Sequence, residues 1–191
     1  DMLLSKLFPN HPYGTQTTIG TQEHLKNPSI VNIKNYFKKY YVPNNTAICM
    51  SGDFDYNEVM TILDKYFSEW NANQPIKPVE FPQYPQLTPL KNNIETSVVG
   101  LEAENILMGW RAKEAGSFQA DTLEVVAEIL SNSKAGLMDL NLDQKMKYLG
   151  GGAYFVGFAD HSIFAMQGMP KEGQSLNDVK QLLLGEIENL K

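Results

Sequence analysis

Five of the chain's ten prolines, Pro75, Pro78, Pro82, Pro85 and Pro89, fall between residues 71 and 90. Proline fixes its own φ and has no amide hydrogen to donate, so this stretch can form neither a helix interior nor a central strand. The composition predicts an extended connector, and Phe81 and Tyr84 within it suit a segment lying along a surface. The 191 residues divide accordingly into a first part (1–70), a linker (71–93) and a second part (94–191). That length suits one large domain or two small ones.

In the first part, Met2–Phe8 reads as a helix running into Pro9-Asn10-His11-Pro12. A second helix starts at Asn27-Pro28-Ser29, with Pro28 at its first turn or Ser29 as its cap. Ile30, Ile33, Phe37 and Tyr40 then recur on one face, with Lys34, Lys38 and Lys39 mostly off it. Pro43 and the Asn44-Asn45 pair end this helix. Thr46–Met50 is a short apolar run expected as a buried strand, with Cys49 as an apolar filler. Asp55 and Glu58 form the spacing of a capping box. Val59, Ile62, Leu63, Tyr66, Phe67 and Trp70 make the stripe expected to be buried in the helix that follows.

In the second part, residues 94–101 and 105–110 read as strands and 117–130 as a helix with Leu123, Val126, Ala127 and Leu130 inward. Residues 136–148 read as another helix that buries Leu137, Leu140 and Met146. Gly150–Gly152 breaks the chain, as a point where a substrate strand comes close or as a loose loop. Residues 154–158 and 163–169 form a hairpin turning at Asp160-His161, and Ser175 with Asp178 caps a last helix. Neither part can cover its own apolar faces. The two are therefore expected to dock as one permuted domain, within a chain or by exchange between two chains.

A net charge of −6 and a pI near 5.1 argue against a nucleic-acid footprint. No run is long enough for a membrane helix. The single cysteine excludes an internal disulfide framework and leaves the compartment open. No G-x-S-x-G is present, and Gly150–Gly152 lacks the Lys and Ser/Thr of a phosphate loop.

One ordered series adds family information. His11-Pro12-Tyr13-Gly14, Ile19-Gly20, Glu23-x-Leu25, Tyr36-Phe37, Tyr40-Tyr41-x-Pro43-x-Asn45, Gly52-Asp53-Phe54 and Lys65-Tyr66-Phe67 follow one another over the first part. Met108–Arg111, Ile129-Leu130 and Leu140–Tyr154 continue it in the second. This series resembles the insulinase/pitrilysin-type zinc metallopeptidases. The resemblance implies an α+β fold, ferredoxin-like and similar to the mitochondrial processing peptidases, with a mostly antiparallel sheet backed by helices.

Catalytic members of that family carry H-x-x-E-H, which sets two imidazoles on one helix face for zinc and a Glu to activate water. His11, His24 and His161 are the only histidines, and none stands in that spacing. A catalytic zinc site needs at least three protein ligands. No metal ligand and no catalytic residue is therefore assigned in this chain. His11 is expected to hold a turn, and His24 and His161 to be exposed loop residues. The helix at 117–130 reads Thr122–Glu128 where a catalytic domain would carry its ligands. The resemblance places the zinc upstream of Asp1, which is not Met and so suggests a piece of something longer. It also implies a substrate-binding pair, an Arg and a Tyr seven residues apart, whose positions here are Lys147 and Tyr154. Lys147 departs from the pattern, because an ammonium cannot replace a bidentate guanidinium fork.

The expectation is thus a non-catalytic module of a zinc peptidase that helps enclose and bind a peptide. Its partners would be the remaining peptidase domains or a homologous subunit, a peptide substrate and, in one arrangement, a second copy as a homodimer. The alternative is a structural or interaction subunit of the same fold with no proteolytic role.

Overall fold

Strand β3, His161–Met169, is the axis of the folded sheet. The computed structural model describes residues 2–16, 18–70, 79–84, 86–101 and 103–191. They fall into two units, residues 1–17 with 86–191, and residues 18–85.

In the first unit, α1 (Met2–Leu7) and α2 (Pro12–Thr15) form a short helical hairpin. Three strands follow: β1 (Ile106–Lys113), β2 (Gly150–Val156) and β3, in the antiparallel order β1-β3-β2. Two helices back the sheet. They are α6 (Phe118–Leu130) and α7 (Leu176–Asn189), numbered after α3, α4 and α5 of the second unit. The fold is α+β with an antiparallel sheet backed by helices, as the sequence led us to expect.

The central strand reads Ser-Ile-Phe-Ala-Met at 162–166, buried throughout. Successive side chains point to opposite faces, so a run this apolar requires cover on both. On one face, Phe164 and Met166 pack with Ala127 and Leu130 of α6, Val179 and Leu183 of α7, and Tyr148. On the other, Ile163 and Ala165 meet Leu7 and Phe8 of the hairpin. Each fully buried Leu, Val, Met or Phe contributes about 1.5–3 kcal/mol.

Both backing helices start where their sequences say. Ser117 accepts from Ala120 N at 3.3 Å. Ser175 and Asp178 form both halves of a capping box, with Asp178 N donating to Ser175 Oγ and Ser175 N to Asp178 Oδ2 at 3.1 Å each.

Between α6 and β2 the expected helix at 136–148 is shortened to residues 137–143, α-helical at 137–138 and widened to a π-helical turn at Asp139–Asp143. Gln144 N donates to Asp139 O and Lys147 N to Leu142 O, each five residues back. Met138 and Leu142 lie in the core, whereas Leu140 is 40% and Met146 74% exposed, contrary to the burial expected from an α period. Gly150–Gly152 opens β2 and does not break the chain.

The second unit contains α3 (Gln22–Lys26), α4 (Ile30–Tyr40), a 3-10 turn at Pro43–Asn45 and α5 (Tyr56–Phe67). Ser29 caps α4 by accepting from Asn32 N at 3.3 Å. Asp55 caps α5 through Glu58 N at 2.9 Å, without the return bond of a full capping box.

Several strand and burial expectations fail here. Thr46–Met50 is irregular and exposed, including Cys49, and residues 94–101 of the first unit are irregular too. A strand exists only when another strand pairs with it, and among the described residues neither run has a partner. Ile62, Tyr66, Phe67 and Trp70 are exposed, and only Val59 and Leu63 of that stripe are half-buried. Amphipathic spacing specifies a face to be covered; it does not supply the cover. In the linker, residues 71–78 and 85 lie outside the described residues, and the described remainder has no regular structure.

Candidate functional site

Strand β2 carries the surface to which the sequence assigned function. It pairs with β3 alone among the described residues, which makes it an edge strand. Tyr154 lies opposite Ala165 at mid-strand and is 38% exposed. Its neighbours Ala153 and Phe155 point the other way, into the core. Lys147 is exposed in the loop before β2, its carbonyl accepting from Gln174 Nε2 at 3.0 Å. Among the described residues no hydrogen bond joins the two side chains.

The next residue fixes that loop. Tyr148 is 3% exposed and packs in the core. Burial first, and the nearby carboxylate of Asp143 next, push its phenol well above the usual range. Burial also raises the Asp143 carboxyl.

The glycines of β2 are set by packing. A Cβ on Gly151 would stand 2.2 Å from Gln167 O, and one on Gly152 would stand 2.9 Å from Ser131 Oγ at the end of α6. Only a bare backbone lets strand, neighbour and helix end approach this closely.

A second polar cluster joins the hairpin to the sheet. His11 is 1% exposed and caps α2, its Nδ1 accepting from Tyr13 N at 3.3 Å. Its Nε2 lies 3.2 Å from Asp160 Oδ2 in the β2–β3 turn. With Nδ1 accepting, Nε2 carries the proton and donates to that carboxylate. Asp160 N in turn donates to the Tyr13 hydroxyl at 3.1 Å. The expected turn-holding part of His11 is therefore its observed one.

His161 departs from the exposed loop position expected of it. It begins β3, its ring stacks on Phe8 at 6.0 Å and meets His11 edge-on at 5.4 Å. Arg111 of β1 donates from Nε to Leu7 O and from Nη1 to Thr88 O at 2.7 Å, with its guanidinium 5.9 Å from the Phe8 ring centre. Desolvation lowers the Arg111 pKa. Sequence reading missed this cluster, because its members are about a hundred and fifty positions apart and their contact depends on the sheet register. The one available signal was the Arg ending the β1 motif.

These groups make an acid-sensitive junction. Burial, then the neighbouring His11, holds the His161 pKa below its ordinary value; Arg111 also lowers it, while Asp160 and Glu114 raise it. A folded-state pKa below the unfolded one gives stability that is present above about 6.5 and is lost as pH falls through the folded value. The urea midpoint of the native chain is expected to fall between pH ~7.5 and ~5.5 by more than that of His161→Phe, which keeps the ring stack. Equal pH slopes in the two proteins would refute this.

Among the described residues no side-chain set fits zinc. The chain has no H-x-x-E-H, and among the described residues no group of three or more His, Cys, Asp or Glu is arranged to hold a metal ion. Among the described residues no helix is long and apolar enough to cross a membrane.

The sequence profile of the Peptidase M16 inactive domain matches residues 30–191, and the chain belongs to that family. It is 23% identical over 141 residues to the zinc protease PqqE of Helicobacter pylori, a match covering 72% of this chain and 31% of that protein. Its fold is similar to the crystal structure of a protease from Helicobacter pylori, with a TM-score of 0.79 and 21% identity over 99% of this chain and 46% of that one. The chain thus spans less than half the length of either.

Proposed function

We propose that this chain is the non-catalytic module of a zinc-dependent peptidase of the insulinase/pitrilysin type. It forms part of the wall that encloses the substrate and holds an extended peptide along the edge of β2. The observation that carries this reading is the pairing of β2 on one side alone among the described residues, with glycines at its start and Tyr154 at its centre. Unpaired backbone groups along such an edge can add a strand from a peptide. Tyr154 supplies a hydroxyl and a ring face beside it, and Lys147 a mobile positive charge at its entrance. Zinc and the water-activating Glu belong to the remaining peptidase domains or to a homologous subunit.

Reconstitution with a polypeptide bearing the zinc motif tests this. Metal-dependent peptide cleavage should require both components. Tyr154→Phe should lower kcat/KM by roughly 10–100-fold, the scale of one lost donor to a charged or developing oxyanion. Lys147→Ala should lower it several-fold, and Lys147→Arg should raise it by restoring a bidentate fork. Unchanged kinetics in Tyr154→Phe would remove the β2 assignment. The lysine at position 147 is also the feature that favours the second reading, a structural subunit without proteolytic work. Under that reading no cleavage appears with any zinc-bearing partner.

A further inference from the structure

Lys147 stands in an exposed loop, yet the backbone on both sides of it is held. Its own N–H donates to Leu142 O at 2.9 Å. Its carbonyl accepts from Gln174 Nε2 at 3.0 Å. Before it, Met146 sits at a φ of 47°, a left-handed conformation that a long side chain adopts only with local support. The Met146 side chain is 74% exposed, so packing does not supply that support. Hydrogen bonds do: Met146 N donates to Asp143 O at 2.9 Å, and Lys171 Nζ donates to Met146 O at 2.8 Å. After it, Tyr148 is packed in the core, and Leu149 N donates to Met169 O at 2.9 Å on the way into β2.

Two of these donors come from one place, the turn between β3 and α7. Gln174 also closes that turn on itself. Gln174 N donates to Lys171 O, and Lys171 N donates to Gln174 Oε1, at 3.0 Å each. The Gln174 carboxamide thus uses both ends, its oxygen on its own turn and its nitrogen on the carbonyl of Lys147. Ordering two long side chains at the surface offsets most of what two exposed hydrogen bonds contribute, so the clamp adds little to stability. What it fixes is the point from which the Lys147 side chain starts. The ammonium still sweeps on its four-carbon stem, but its root is set at the mouth of β2.

We propose that Gln174, assisted by Lys171, is a positioning residue that holds Lys147 at the entrance of β2, so that the ammonium reaches a peptide lying along that edge. This part for Gln174 rests on the reading of β2 as a peptide-binding edge, and extends it to a turn 27 residues further along the chain. Gln174 acts through the backbone of Lys147 and not on the peptide itself.

Gln174→Met tests this, since it removes the donor with no change of charge and little change of length. In the chain alone, hydrogen exchange at the Lys147 amide should quicken by about 5-fold, the scale of one net hydrogen bond, while the β3 amides of Phe164–Met166 keep their protection. In reconstitution with a zinc-bearing polypeptide, KM for a peptide should rise by about 2–5-fold with kcat unchanged, as for a contact made equally in ground and transition states. The double variant separates positioning from mere support. On a Lys147→Ala background, Gln174→Met should have no further effect on KM, because the group it positions is gone. Equal effects in the two backgrounds overturn the proposal. So does unchanged exchange at Lys147, or an unchanged KM in Gln174→Met where Lys147→Ala raises it. Each of these leaves the β2 reading standing. An unchanged KM in Lys147→Ala, or no cleavage with any zinc-bearing partner, overturns the part given to Lys147 in that reading and this inference with it.

Discussion

Asp139→Ala is expected to lower the unfolding free energy by about 2–3 kcal/mol. The carboxylate is 7% exposed, and the loop after α6 wraps around it. Asn132, Lys134 and Gly136 each donate a backbone N–H to Oδ2 at 3.0 Å. Ser131 Oγ reaches Oδ1 at 3.5 Å. Alanine removes an acceptor shared by three amides; the buried Gly136 N–H is left without a partner at a cost of about 1–3 kcal/mol, while Lys134 N keeps Asn132 Oδ1 at 3.1 Å and the exposed Asn132 can turn to water. The loop also holds Ser133 at a φ of 65°, a left-handed conformation that needs local support. The melting temperature should fall by roughly 5–10 °C. Asp139→Asn keeps one carbonyl oxygen and should lose about half as much. The measurement is urea denaturation of both variants, with m-values compared to confirm that the same structure unfolds. A loss below about 1 kcal/mol for the alanine variant would mean that the loop is held by something else.

That carboxylate also shows where sequence reading stops. Helices α6 and α7 are legible because caps and apolar spacing are local. Ser117, Ser175 and Asp178 stand beside the elements they start, and Leu130, Val179 and Leu183 fall in register with the α period. β3 is legible as an apolar run without polar alternation. Asp139 is not legible, since its partners are amides that any residue could supply and only the loop path brings them together. The wide turn at Asp139–Asp143 escapes for a related reason. Its five-residue hydrogen bonds leave no compositional mark, and an α period fits Leu137 with Leu140 as well as the observed Met138 with Leu142. Thr46–Met50 has the composition of a strand, but a strand is a relation between two segments. Lys147 and Tyr154 came from resemblance alone, and their spacing in the chain carries no physical signal. The His11, Asp160 and His161 cluster was invisible because the sheet register alone makes its members neighbours.

Phe8→Ala is expected to be the most damaging change outside that loop, at about 3–5 kcal/mol for a large-to-small substitution in a packed site. Phe8 is fully buried. Its ring meets Tyr13 edge-on at 5.7 Å, stacks on His161 at 6.0 Å, and lies under the Arg111 guanidinium. Removing it takes the apolar centre from the cluster that fastens α1 and α2 to the sheet, leaving His11, Asp160 and Arg111 around a void. The opposite face of the sheet, with Met166, Val179 and Leu183, does not touch this ring and keeps its own cluster. The loss should therefore appear first as detachment of the hairpin. Hydrogen exchange should show Gly14, Thr15 and Gln16 losing protection, while the β3 amides around Phe164–Met166 retain theirs. Phe8→Leu fills part of the space and should cost about 1–2 kcal/mol with the same pattern. Protection lost equally from hairpin and β3 would show that the two faces of the sheet unfold as one unit. The hairpin would then be an integral part of the core and not a separately attached element.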